Sequence, residues 1–471
     1  MNEIYKADPG SQSLYLIWAD WEPRKKAAPC AADEQEYDGH CFIIAPEVDE
    51  AIRTWSEQGL ITLAFVYGTP AWARSIRPCE AGIYCVPDDA ADYGRFGGML
   101  ARRYNGLNGN GRIADFVLGR EVGNYRSFDI GCGPGSTACD KTEWINLIVA
   151  NYNAGYDAIF AEQSTARIMT SIDNKFGETL ENAADGQLCG KSVLLGLGNN
   201  AGGRLWRASI NAYNKPEALR FDYLDYPYVT MGNVGILVGW LIQQFPNEPQ
   251  VRDVQLAEQG LPGRPNFEDT SASSLCFGFR NALGTPGIDN YIYYHMLDQP
   301  GEIDKFGLFR EDGTPKGLWG IWANSSRPNW SPGLLSHSCG FQNLPYLEMN
   351  LGRGNSGSYI ASSRKLPSSY LGDGRFFLHH SEQPNSIMLY ECSTAAGSRL
   401  MADPSCNNEL PYGPVGWIYT SQVLPSTVPL YSCYNQVSGA YFPSFASDCR
   451  GQPNVQVLGL LGYVFRNLPS P

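Results

Sequence analysis

Between residues 14 and 323, short apolar runs of strand character alternate with longer runs of helical period, and no other feature constrains the chain as much. Strands joined through helices are driven parallel, because only a crossover returns the chain to the same end of its neighbour. The strand-like runs are 14–18, 61–67, 115–118, 168–172, 223–226, 254–257 and 291–294. Helix-like patterns fill 46–58, 92–104, 144–162 and 235–245. A closed barrel of this type needs eight strands. Seven are placed, so the first strand is either hidden in residues 1–12 or missing from the chain. The expected fold is a (β/α)8 TIM-type barrel over residues 1–325.

At Asn324-Ser-Ser-Arg-Pro-Asn-Trp-Ser-Pro-Gly the texture changes to a Pro/Ser/Gly-rich linker, assigned to 326–337, and helical period disappears. The tail, 338–471, repeats itself. Leu389-Tyr390-Glu391-Cys392 recurs as Leu430-Tyr431-Ser432-Cys433, and Gly416-Trp417-Ile418-Tyr419 recurs as Gly462-Tyr463-Val464-Phe465. Tyr346-Leu347-Glu348 and Gly374-Arg375-Phe376-Phe377 read as a weaker third copy. Three copies of short strands and turns predict an all-β, trefoil-like domain. Tyr390, Tyr431, Trp417 and Tyr463 are candidates for its hydrophobic plug.

A formal charge of −13 repels phosphate backbones and anionic lipid, which excludes nucleic acid and membrane surfaces as partners. Arg24-Lys25-Lys26 reads as a solvated loop. No run of 18 apolar residues is available to span a bilayer. The 13 cysteines fall largely into close pairs, Cys30/Cys41, Cys79/Cys85, Cys132/Cys139, Cys392/Cys406 and Cys433/Cys449, which leaves Cys189, Cys276 and Cys339. Such pairs predict disulfides and an exported, extracellular protein, although residues 1–10 lack the pattern of a signal peptide. There is no CxxC and no HExxH among five histidines, so no metal site is expected. No nucleotide or flavin cofactor is expected either, since Gly196-Leu-Gly-Asn-Asn-Ala-Gly-Gly reads as a loop outside any strand-turn-helix context.

In a barrel of this type, polar residues just past the strands gather on one face. Glu121 follows Ile113-Ala-Asp-Phe-Val-Leu-Gly-Arg, and Glu258 follows Asp253-Val-Gln-Leu-Ala. A carboxylate there must be solvated or paired, and two carboxylates about 5 Å apart are what glycoside cleavage with retention uses. The alternative is that each glutamate caps a helix or pairs with an arginine. By the same logic Tyr228 is a candidate to hydrogen-bond the nucleophile, His295 and Asp298 to hold substrate hydroxyls, and Trp72 to stack on a sugar ring. Asn124, Asp173 and Asn174 are further candidates, or loop-ordering residues.

Five stretches, Tyr67-Gly-Thr-Pro-Ala-Trp-Ala, Phe116-Val-Leu-Gly-Arg-Glu-Val-Gly-Asn124, Ile168-Met-Thr-Ser-Ile-Asp-Asn174, Leu256-Ala-Glu-Gln-Gly260 and Tyr294-His-Met-Leu-Asp298, resemble glycoside hydrolase clan A over some 300 residues. The resemblance implies a retaining glycosidase acting on a poly- or oligosaccharide, with Glu121 as acid/base and Glu258 as nucleophile. Arg120 stands where the clan usually has an asparagine. A guanidinium there implies either recognition of an acidic sugar or a partner for the protein's own carboxylates. The tail resembles secreted bacterial and fungal repeats that bind sugars. A monomer is expected. The competing reading is a non-catalytic carbohydrate-binding protein with a degenerate barrel.

Overall fold

A computed structural model of the protein describes residues 9–133, 137–216, 218, 220–263, 267–324, 346–363, 366–423 and 426–467. The chain divides into two compact units. The first holds Met1–Tyr213, Asp253–Gln259 and Asp289–Tyr293; the second holds Asn214–Arg252, Gly260–Ile288 and Tyr294–Pro471.

The first unit is built on seven parallel strands that form a nearly closed TIM-type barrel. They are β1 (Ser11–Ile17), β4 (Ile61–Tyr67), β5 (Asp115–Leu118), β6 (Arg167–Ile172), β7 (Arg207–Ile210), β8 (Val254–Gln259) and β9 (Ile288–Tyr293), hydrogen-bonded in that order. A small antiparallel hairpin, β2 (Glu34–Tyr37) and β3 (His40–Ile43), accounts for the skipped numbers. Ser11 on β1 donates its hydroxyl to Asn290 Oδ1 on β9 at 2.7 Å, so the two edge strands meet across the remaining gap. Alternate residues of the strands fill the barrel: Leu63, Phe65, Val117, Met169, Ala257 and Ile292 form one cluster. Within this unit lie the helices Pro46–Glu57, Ala90–Arg103, Lys141–Glu162 and Gly190–Asn200. Asp89 and Asp140 cap two of them by accepting the amides of Ala91 and Glu143. Lys141–Glu162 buries Trp144, Ile148, Tyr152, Tyr156 and Ile159, a stripe at helical spacing.

Two sequence expectations change here. Residues 223–226 form no strand; the strand is β7, whose Ser209 faces away from Ala208 and Ile210 and so hides the apolar signal. Gly196-Leu-Gly-Asn-Asn is not a loop but the end of the helix Gly190–Asn200, where Gly196 lets Ile145 approach: a Cβ there would lie 2.3 Å from Ile145 Cγ2. An eighth strand before β1 would fall on residues 1–8, which lie outside the described residues, as does the 326–337 linker.

The second unit carries the helices Gly235–Gln244, Glu268–Leu283 and Gly317–Asn324, and a nine-stranded sheet. That sheet consists of three repeats of three strands: β10 (Tyr346–Gly354), β11 (Tyr359–Ser362) and β12 (Tyr370–His379); β13 (Ser386–Thr394), β14 (Gly397–Met401) and β15 (Pro411–Tyr419); β16 (Thr427–Asn435), β17 (Tyr441–Ser444) and β18 (Val455–Phe465). In each, the long first and third strands pair antiparallel with an irregularity after the same leucine. Leu351, Leu389 and Leu430 face Gly374, Gly416 and Gly462, whose φ values are +141°, +129° and +153°. A Cβ at Gly462 would stand 2.5 Å from the Tyr419 carbonyl oxygen and one at Gly416 2.9 Å from that of His379, so at these two positions the third strands approach one another only through glycine. They do so by the pairs His379 with Trp417, Phe377 with Phe465 and Tyr419 with Tyr463.

This register corrects the repeat alignment. The counterpart of Leu389 and Leu430 is Leu351, which lies beyond Tyr346-Leu347-Glu348, so Gly354 occupies the position of Cys392 and Cys433. The core is filled by Leu351, Leu389, Leu430, Phe376, Ile418 and Val464, whereas Trp417, Tyr431 and Tyr463 are only half-buried. All five expected disulfides are present. Cys276 is also disulfide-bonded, Cys189 is a buried free thiol, and Cys339 lies outside the described residues.

Candidate active site

The strand ends of the barrel bring three side chains, with four hydrogen bonds, onto one carboxylate. Glu258, near the end of β8, is 1% exposed. Tyr15, on β1, donates its hydroxyl to Glu258 Oε2 at 2.7 Å, and Tyr213, three residues past β7, donates to Oε1 at 2.9 Å. Arg120, two residues past β5, adds a fork: Nε reaches Oε2 at 3.2 Å and Nη2 reaches Oε1 at 2.8 Å. A buried carboxylate is tolerated only when its oxygens are satisfied. Here both are, by two neutral hydroxyls and a bidentate cation. The carboxylates raise the affinity of the Arg120 guanidinium for its proton despite burial.

Glu121 is set differently. The turn out of β5 uses Gly119 at φ +79°, where a Cβ would lie 2.4 Å from Val122 Cγ1, and then places Glu121 itself at φ +47°. A left-handed glutamate is costly and is held here by its surroundings. The Gly119 amide donates to the Val66 carbonyl, the Val122 amide to Ser171, and the Asn124 amide to the carbonyl of Glu121. Its carboxylate receives one hydrogen bond from the described side chains, from Asn211 Nδ2 to Oε1 at 3.0 Å. Burial first, opposed by Arg120 and reinforced by the charge of Glu258, pushes its carboxyl above the ordinary range. Asp173, just past β6, is raised to about 7, mainly by burial and then by the charge of Glu121.

Of the other expected residues, Asn174 donates Nδ2 to the Tyr213 carbonyl at 3.1 Å and so steadies the residue that reaches Glu258. Asn124 orders its own loop, its Oδ1 accepting the Arg126 amide. Asp173 accepts the Lys175 amide and the Gln187 side chain. Trp72 spends its indole N–H on the Glu22 carbonyl at 2.9 Å, with Lys25 Nζ 4.9 Å from its ring centroid.

Tyr228, His295 and Asp298 belong to the second unit. There the Tyr228 carbonyl accepts Asn233 Nδ2, His295 lies 3.4 Å from Glu302, and Asp298 is buried in an ion pair with Lys316 at 2.7 Å. The hydroxyls that reach Glu258 are those of Tyr15 and Tyr213. Both, with Asn211, were missed in the sequence. Tyr15 sits inside a run read only as strand, and Asn211 and Tyr213 follow the strand that its serine concealed.

The fold is similar to that of several solved proteins at low identity. A family 39 glycoside hydrolase from the gut symbiont Bacteroides cellulosilyticus WH2 aligns at 13% identity over 88% of this chain and 76% of that one, with a TM-score of 0.49. A GH5_18 protein from Streptomyces cattleya aligns at 11% over 69% and 73%, TM-score 0.44. A β-galactosidase from the haloarchaeon Halorubrum lacusprofundi aligns at 15% over 69% and 55%, TM-score 0.45. No curated protein sequence matches the chain. One family profile does, over residues 88–330, just over half of the 471 residues. The chain therefore belongs to that family, DUF5722, a family of unknown function.

Proposed function

We propose that the protein is a retaining glycoside hydrolase in which Glu258 is the nucleophile and Glu121 the acid/base. The carrying observation is the contrast between the two carboxyl groups. Glu258 has both oxygens fixed by four hydrogen bonds, which orients an ionised carboxylate. Glu121 has one oxygen held by Asn211, no hydrogen bond from a described residue at the other, and a carboxyl raised by burial. A carboxyl whose protonated form is favoured by burial, beside one whose oxygens are both held by donors, divides the roles of acid and nucleophile. In the first step Glu258 bonds to the anomeric carbon while Glu121 gives its proton to the departing oxygen. In the second, Glu121 takes a proton from water, which displaces Glu258 and returns both groups to their starting states.

Arg120 supports a neutral glycan over an acidic one. Gripping a sugar carboxylate through Nε and Nη2 would require releasing Glu258, and the edge that makes no hydrogen bond to a described residue is Nη1. The disulfides support export. The half-buried Trp417, Tyr431 and Tyr463 suit a trefoil-like carbohydrate-binding role for the three-repeat sheet. A second reading, a sugar-binding protein without turnover, is favoured by the same Arg120, which covers Glu258 in its resting state.

The deciding experiment screens neutral and uronic-acid polysaccharides for new reducing ends. Glu258→Ala should abolish release, and azide should restore turnover of an activated aryl glycoside. Binding without release by the wild type would select the second reading.

A further inference from the structure

The amide of Asn211 contains only donors on its nitrogen, so the oxygen it faces must act as an acceptor. That oxygen is Glu121 Oε1, at 3.0 Å. Asn211 is 1% exposed and directly follows β7; its backbone amide donates to the Ile172 carbonyl and its carbonyl accepts the Tyr213 amide, so the side chain starts from a fixed base. Its own Oδ1 is buried and accepts nothing from the described residues. Ser171 and Ser209, opposite each other on β6 and β7, likewise have unpartnered buried hydroxyl oxygens. Turned over, the amide could keep this contact only by accepting a proton carried on Oε1 itself, which is the alternative the test below separates.

We propose that Asn211 is a positioning residue that fixes which oxygen of Glu121 carries the labile proton: Oε1 is held as the carbonyl oxygen, and Oε2 bears the hydrogen. The inference rests on the acid/base reading of Glu121. The groups that face Glu121 electrostatically are Arg120 beside it in the chain, Glu258 from β8, and Asp173 and Lys175 from the loop after β6. Each changes how tightly the proton is held, but Asn211 alone among them makes a side-chain hydrogen bond to the carboxyl. A proton confined to Oε2 is delivered at one place, which a general acid requires, because reach to the departing oxygen must be within hydrogen-bond distance.

The test is infrared spectroscopy of the whole chain titrated from about pH 4 to about pH 9, the range that spans a raised carboxyl. The carbonyl stretch of protonated Glu121 is the band missing from Glu121→Gln. A hydrogen bond to the carbonyl oxygen lowers that stretch, so Asn211→Ala should move the band to higher frequency. It should also move the titration to higher pH, because a donor that favours the carboxylate has gone. Asn211→Leu, which keeps the volume, serves if the alanine variant does not fold. An unmoved band, or no such band at any pH, overturns the inference.

A kinetic arm separates this from the functional reading. With the Asn211 variant, kcat/KM for glycosides with poor leaving groups should fall about tenfold to a hundredfold, part of what a general acid contributes. Dinitrophenyl glycosides, which leave without a proton, should change little in the same step. Equal losses on both would indicate a merely structural residue and overturn the inference. Full activity of Glu121→Gln would overturn the acid/base reading, whatever the infrared band does.

Discussion

Replacing Arg120 by methionine removes a fork of two hydrogen bonds from a carboxylate that is 1% exposed, and leaves Glu258 with only the hydroxyls of Tyr15 and Tyr213. Breaking a buried pair from one side costs about 3 to 5 kcal/mol, because the remaining charge has lost its counter-charge but not its burial. For a unit of this size each kcal/mol moves the melting temperature by about 2 to 4 °C, so the first unit should melt roughly 10 °C lower. Removing both partners, as Arg120→Met with Glu258→Leu, deletes the orphan and should recover most of the loss. The assay is calorimetry of wild type, both single variants and the double variant at pH 7. A loss of under about 1 kcal/mol in Arg120→Met, or simple additivity in the double variant, would refute the view that this pair is one energetic unit.

Tyr213→Phe keeps the ring and deletes one donor to a charged acceptor, so kcat/KM should fall by about 1.5 to 3 kcal/mol, roughly tenfold to a hundredfold, in steady-state assays. Asp173 is raised to about 7, so between its unfolded value near 4 and that value the folded protein binds the extra proton, and stability falls as pH rises. Urea titrations at pH 5 and pH 8 should therefore show a steeper decline in wild type than in Asp173→Asn, by on the order of a few kcal/mol; equal slopes would remove the assignment. Cutting the Cys392–Cys406 link by paired alanine substitutions should cost about 3 kcal/mol of second-unit stability, read from its unfolding midpoint.

The barrel was legible because strands buried on both faces are written as apolar runs, of which Ile61–Tyr67 is the clearest. The run at 223–226 misled for the same reason: a cluster of tyrosines satisfies the pattern whether it packs in a strand or in a turn. The two glutamates were visible as charges after strands. Their tyrosine partners were not, because a tyrosine that reaches a carboxylate and one that fills a core look alike in the sequence; Tyr15 stacks on Phe65 with ring centroids 5.1 Å apart and still reaches Glu258 with its hydroxyl. Arg120 was open to two readings, and its fork on Glu258 is what favours the one in which it partners the protein's own carboxylate. Repeat copies with cysteines aligned themselves, whereas the first element of the copy with Gly354 in that place was set too early in the chain, since its anchor is a backbone irregularity rather than a side chain.

The left-handed backbone at Glu121 bears on how such a site changes over generations. A side chain with a Cβ pays about 1 to 2 kcal/mol for that conformation, which glycine avoids and asparagine partly avoids. If Glu121 is the acid/base, as proposed, turnover requires glutamate at residue 121 against this conformational pull. Any lineage that stops needing the reaction will therefore slide toward glycine or asparagine there and gain stability as it does. On that reading residue 121 is a marker: in a relative that has the same turn, glutamate there is expected to go with turnover and glycine or asparagine with a relaxed scaffold.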